Sequence, residues 1–195
     1  MESALSKVSK QELALSSPIL PSSLHKAFLE LECLYTASDC LIAYNVLINK
    51  WGNDSSADVP VFWLHSKAAL MASFTMNWCK LFGSDSTDRF WKQVTLEQKA
   101  FRELVYTVTE FNYQGWADYR KMMTAFRNKV VSHPTPYFDC NDVPDFSAAF
   151  DVLKVTHKWL RQVAEYIDEP VVGNLSNREY FENIAIEIDR SVSSC

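Results

Sequence analysis

The segment Phe126-Arg127-Asn128-Lys129-Val130-Val131-Ser132-His133 places a guanidinium, an amide and an imidazole within the seven residues from 127 to 133. Arginine can grip a phosphate through two parallel hydrogen bonds and stays charged at any relevant pH. Histidine is the side chain whose unperturbed pKa suits proton transfer near neutrality. A guanidinium that steadies phosphate charge beside an imidazole that moves protons has the chemistry to cleave a phosphodiester. Arg120 and Lys129 belong to the same stretch and, with Lys121 and Arg127, make the only focal basic feature of the chain. Arg120 and Lys129 are therefore the expected substrate-binding cations.

These groups must be positioned by a helix. Trp116, Tyr119, Met123, Phe126 and Val130 recur at helical spacing, which predicts a helix from about Gly115 up to the residues before Pro134. Proline biases His133 away from helical geometry, so the chain turns there. Six residues of ideal helix turn through about 600°, leaving Arg127 and His133 about 120° apart around the axis. The apolar arc falls between the two directions, so each flanks a buried stripe. Either the last turn unwinds and swings His133 round, or a second subunit packs across the stripe and brings two sets of residues together. The second arrangement, a homodimer with a composite site, is the expectation.

The rest of the chain fits an all-α bundle. With 195 residues, 48% of them hydrophobic and 22% charged, it is long enough for one domain with a sizeable core. Four glycines and seven prolines supply little of the turn material that an all-β chain of this length needs. A net charge of −5 and a pI near 5.4 argue against broad electrostatic coating of nucleic acid and confine such contact to a local patch. Five cysteines, Cys33, Cys40, Cys79, Cys140 and Cys195, are odd in number and contain no C-x-x-C pair, which fits reduced thiols better than disulfides or a zinc site. The most apolar later stretch, 59–82, is interrupted by His65, Lys67 and Asn77 and fails as a membrane span. No secretory leader is evident at the N-terminus, and the chain reads as cytoplasmic.

Residues 1–21 are serine-rich and end in prolines, which predicts a tail or loosely docked leader before a single domain over 22–192. About five helices are expected. The first opens at Ser22 or Ser23, carries Leu24, Phe28, Leu31, Tyr35, Leu41 and Ile42, and runs to Trp51-Gly52. Asp58 and Pro60 predict the start of a second helix that stops at Phe82-Gly83. Thr95 to Gln98 resembles a capping box for a third, with Phe101, Leu104, Val105 and Val108 on one face and an end near Asn112. After the fourth helix, an acidic, proline-containing loop leads to a fifth with Phe146, Phe150, Leu153, Leu160, Val163 and Ile167. Residues 176–192 are expected to add a short helix.

The run Arg127-Asn128-x-x-x-x-His133 resembles the R-x(4–6)-H motif of HEPN domains, where a polar residue commonly follows the arginine late in a bundle helix. Within that superfamily, Asn77-Trp78-Cys79-Lys80-Leu81-Phe82-Gly83, Phe90-Trp91 and Phe126 to His133 look like the abortive-infection AbiU-type branch, over residues 24 to 168. The resemblance implies a HEPN-like bundle that dimerises into a metal-independent, cofactor-free endoribonuclease, acting as a toxin or antiviral defence protein. RNA would be cut by its own 2′-hydroxyl, leaving a 2′,3′-cyclic phosphate. His133 would then serve as general acid or base, Arg127 would stabilise the phosphorane, and Asn128 would orient substrate or the histidine. The implied partners are RNA, a second copy of the chain, and an antitoxin or defence-system protein. A related toxin group carries a modifiable tyrosine two residues after the histidine. Here that position is Thr135, so such regulation is not implied.

Plainer readings stand beside these. Arg127 would suit any helix C-terminus, and His133 could simply cap a helix before a proline. A degenerate domain that keeps the fold and binds a partner protein or nucleotide without cutting RNA is the alternative function. His157 lies between Leu153 and Leu160 on an apolar face, which predicts a buried, hydrogen-bonded histidine. Trp63, Trp78, Trp91, Trp116 and Trp159 are expected as core or interface anchors rather than base-stacking platforms. Asp139, Asp142 and Asp145 are weak metal ligands, lacking histidine or glycine punctuation, and no metal is expected.

Overall fold

Apolar residues repeating every three to four positions can be buried together only if the segment coils as a helix, and the chain repeats that pattern five times. In the computed structural model the described residues are 21–51, 61–83, 98–132 and 143–166, with 183, 186, 187 and 190 besides. They form α1 (Pro21–Trp51), α2 (Val61–Phe82), α3 (Gln98–Thr109), α4 (Tyr113–Ser132) and α5 (Ser147–Tyr166), with no strand among them. This is an all-α bundle. None of the described helices is long and apolar enough to cross a membrane. Nearly all of the expected leader, along with Asp58, Pro60, Thr95 and the loop from His133 to Asp142, lies outside the described residues. The four isolated described positions near the C-terminus, Asn183, Ile186, Glu187 and Arg190, are helical, in the stretch where a short helix is expected.

The largest interhelical contact joins α1 to α2. α2 then packs on α4, and α5 packs on α1 and α3. Leu34, Ala37 and Leu41 from α1 meet Phe74, Trp78 and Phe82 from α2 in one continuous core with Met123 of α4 and Leu153 of α5. All four residues expected on the inner face of α3, Phe101, Leu104, Val105 and Val108, are buried. So are Trp116, Tyr119, Met123 and Phe126 of α4. Ring contacts give the directions. Phe146 meets Tyr44 and His157 meets Tyr35, so α5 runs antiparallel to α1. Phe82 meets Trp116, and Phe74 reaches Phe126 through Phe146, so α2 and α4 are also antiparallel.

His157 is buried, and its Nε2 lies 3.1 Å from the Tyr35 hydroxyl, which agrees with a satisfied core histidine. Trp78, Trp116 and Trp159 are core anchors. The described cysteines, Cys33, Cys40 and Cys79, carry free thiols. Of the three acidic residues weighed as ligands, only Asp145 is described, and it closes the start of α5. Its carboxylate accepts from the Ser147 N–H at 2.9 Å and the Ser147 hydroxyl at 2.8 Å.

α1 already includes Pro21, so Ser22 and Ser23 lie inside it instead of capping it, and two further boundaries differ from the sequence expectation for one shared reason. α3 ends at Thr109, three residues early, and α4 begins at Tyr113, ahead of Gly115. Glu110 takes φ 58°, the left-handed conformation that ends a helix and that glycine usually supplies. Asn112 then caps α4, its side-chain oxygen accepting from the Gly115 N–H at 2.8 Å. Phe146 also differs in placement. It precedes α5, its carbonyl accepting the first helical bond from Phe150 N–H at 2.9 Å.

Candidate functional site on α4

α4 is held from two sides by polar ties. The Tyr119 hydroxyl donates to the Asp145 carbonyl at 2.8 Å and accepts from the Ala149 N–H at 3.1 Å, joining α4 to the first turn of α5. Burial raises the Tyr119 pKa above its ordinary value, so the hydroxyl remains a donor. On the other side, Arg120 donates through Nε to the Phe82 carbonyl and through Nη2 to the Gly83 carbonyl at 3.5 Å. Those are orphan acceptors at the end of α2, and a cation there also meets the negative end of the helix dipole. Gly83 has to be glycine at this joint, because a Cβ would lie 2.6 Å from the Cys79 carbonyl oxygen. The Asn77 to Gly83 stretch singled out in the sequence thus forms the seat into which α4 fits.

Seven residues separate Arg120 from Arg127, which puts them about 20° apart on the helix circumference and about 10 Å apart along it. Arg120 reaches the end of α2, and both arginines act electrostatically on Cys79 of that helix, whose thiol donates to the Met123 carbonyl at 3.6 Å. Burial pushes that thiol up to about 11, against the opposing fields of Arg127 and Arg120. Cys79 is therefore an inert packed thiol at neutral pH rather than a nucleophile.

Arg127 is half-buried, whereas Asn128 is exposed. Arg127 donates from Nε at 3.1 Å and from Nη2 at 2.7 Å to the side-chain oxygen of Asn128. Adjacent residues on a helix point about 100° apart, so this pairing bends the guanidinium across the helix surface toward the outer arc. It uses two of the five guanidinium donors. Asn128 thus orients the arginine itself, a role that the sequence pattern did not specify. His133 follows Ser132, the last residue of α4, and lies outside the described residues.

An open groove of about 480 Å³ runs along the solvent side of α4, lined by Gly83, Ala117, Arg120, Lys121, Thr124, Ala125 and Asn128. Among the described residues, both charged side chains in its walls are cations. Lys129, expected beside Arg120 as a substrate contact, is exposed and does not line it. Lys121, which the sequence reading counted as basic charge without assigning it a contact, does. The spacing of Ala117, Lys121, Thr124 and Asn128 puts them on one arc opposite the apolar stripe, but it does not say that this arc borders a groove. Among the described residues no group of three or more His, Cys, Asp or Glu side chains is placed to hold a metal ion.

Fold and site together define an all-α bundle with a cationic, solvent-facing groove on its fourth helix. No protein-family model, no curated protein and no solved structure matches the chain.

Proposed function

We propose that the protein is a HEPN-like, metal-independent endoribonuclease of the toxin or abortive-infection kind, with Arg127, Asn128 and His133 in its active site. The observation that carries this reading is the Arg127–Asn128 pair. It holds a permanently charged guanidinium in one orientation near the end of α4, five residues before the chain leaves the helix at Ser132. A fixed cation lowers the reorganisation needed as charge builds on a phosphate.

In the proposed reaction His133 accepts the proton of the ribose 2′-hydroxyl. The 2′-oxygen bonds to phosphorus, the bond from phosphorus to the 5′-oxygen breaks, and that oxygen leaves with a proton from the acid. The products are a 2′,3′-cyclic phosphate and a 5′-hydroxyl. Arg127 stabilises the pentacoordinate phosphorane. The angular separation of about 120° between Arg127 and His133 on an unbroken helix favours a homodimer in which two copies complete the site, one histidine as base and the other as acid.

Arg127→Ala and His133→Ala should each abolish cleavage of single-stranded RNA while circular dichroism and solution mass stay those of the parent. Unchanged cleavage by both variants overturns the site assignment, and a strictly monomeric active enzyme overturns the composite site.

A further inference from the structure

We propose that the groove on the outer arc of α4 is the track for the phosphate backbone of single-stranded RNA, with Lys121 as its principal point charge. The proposal rests on the ribonuclease reading and extends it from the reacting phosphate to the strand on one side of it. The charged groups among the described residues of the lining, Arg120 and Lys121, are both cationic in a chain whose net charge is −5. Among the described residues no carboxylate lines the groove, and that of Asp118, on the neighbouring arc, accepts from the Gln114 amide at 3.0 Å. The occupant is therefore an anion on grounds of charge complementarity.

Shape narrows the choice. Gly83, Ala117 and Ala125 keep the walls low, so a chain of phosphates can approach the helix surface closely. From Ala117 to Asn128 the lining follows roughly 16 Å of helix axis, long enough to meet more than one phosphate of a strand laid along it. A concave groove receives a strand, whereas entering a duplex groove requires a protruding element. Among the described residues of the lining there is no aromatic ring on which a base could stack. The contact is then with phosphates, salt-dependent and tolerant of sequence. Asn128 ends the groove and holds Arg127, so a strand lying in it has a phosphate delivered to that guanidinium.

The test is a fluorescence-anisotropy titration of the full chain with a short 2′-O-methyl oligouridylate, which has no 2′-hydroxyl to attack and so reports binding without cleavage. The parent should bind with an affinity that falls log-linearly with salt. Lys121→Ala should weaken binding by roughly tenfold at ~0.1 M salt and reduce the slope by about 0.7, the value for one phosphate on a single strand. Lys121→Glu should weaken it further, and Lys158→Ala on α5 should bind as the parent does. Binding by Lys121→Glu equal to the parent's, or binding insensitive to salt, overturns the track. So does displacement of the strand by polyglutamate at equal charge concentration, which would mark the groove as a seat for an acidic protein segment. Failure of the two readings is separable. Lys121-dependent binding without any cleavage by the parent removes the catalytic reading alone, and unimpaired cleavage by Lys121→Glu removes the track alone.

Discussion

The inner and outer arcs of α4 are built from the same twenty residues and opposite materials. Inside, Trp116, Tyr119, Met123 and Phe126 are sealed against α2 and α5. Outside, Lys121, Ala125 and Asn128 stand in solvent. The inner arc carries the helix's share of stability and fixes its rotation, and that rotation decides which side chains the outer arc presents. A helix packed this way can lose its outer cations without unfolding. It cannot lose its inner rings.

The largest effect should follow from removing the partner of the inner arc. Trp78 of α2 is fully buried, with its ring 6.0 Å from Trp116, 5.9 Å from Tyr119 and 5.1 Å from Phe82. Trp78→Ala should cost about 3–5 kcal/mol in urea denaturation, the usual range when a large aromatic leaves a cavity. Lys121→Ala, by contrast, should stay within ~0.5 kcal/mol of the parent. Similar losses from the two variants would break the division between the arcs.

A smaller effect is expected at Tyr119, whose ring belongs to the inner arc and whose hydroxyl reaches α5. Tyr119→Phe keeps the ring and removes both bonds, leaving the Ala149 N–H without this acceptor inside the protein. The expected loss is about 1–3 kcal/mol. Because Asp145 lies at the far end of the segment that begins with His133, amide exchange at Ser147 and Ala149 should also quicken. Unchanged exchange would mean that the acid-bearing turn alone holds the start of α5.

Much of this division was legible in the sequence. The periodicity that gave Phe101, Leu104, Val105 and Val108 to one face, and Tyr119, Met123 and Phe126 to another, is a property of local geometry that survives folding unchanged. His157 was legible for the same reason. Arg120 was not. Its place among the basic residues of α4 suggested a substrate cation, and nothing in that pattern says that its guanidinium donates to the end of a helix 38 positions away in the chain. No local pattern reports which distant carbonyls lack partners. The groove was hidden likewise. A helical wheel places Lys121 and Lys129 about 80° apart, but only the packing of α2 decides which of them borders a concavity.

The smallest effect should arise at the corner that leads into α4. Glu110 sits at φ 58°, where a side chain bearing Cβ is crowded by its own carbonyl, at a cost of ~1–2 kcal/mol. Glycine takes this conformation freely but gives up more freedom on folding, which offsets part of the gain. Glu110→Gly should therefore stabilise the protein by about 0.5–1 kcal/mol, read as a raised urea midpoint with an unchanged slope. Glu110→Val should move the midpoint the other way, since a β-branched side chain tolerates positive φ least. If Glu110→Gly raised stability and lowered strand binding in the groove, the corner would be holding α4 at a rotation that function requires. Equal binding would show that the packing of Trp116 and Tyr119 on α2 is enough to keep the outer arc facing solvent.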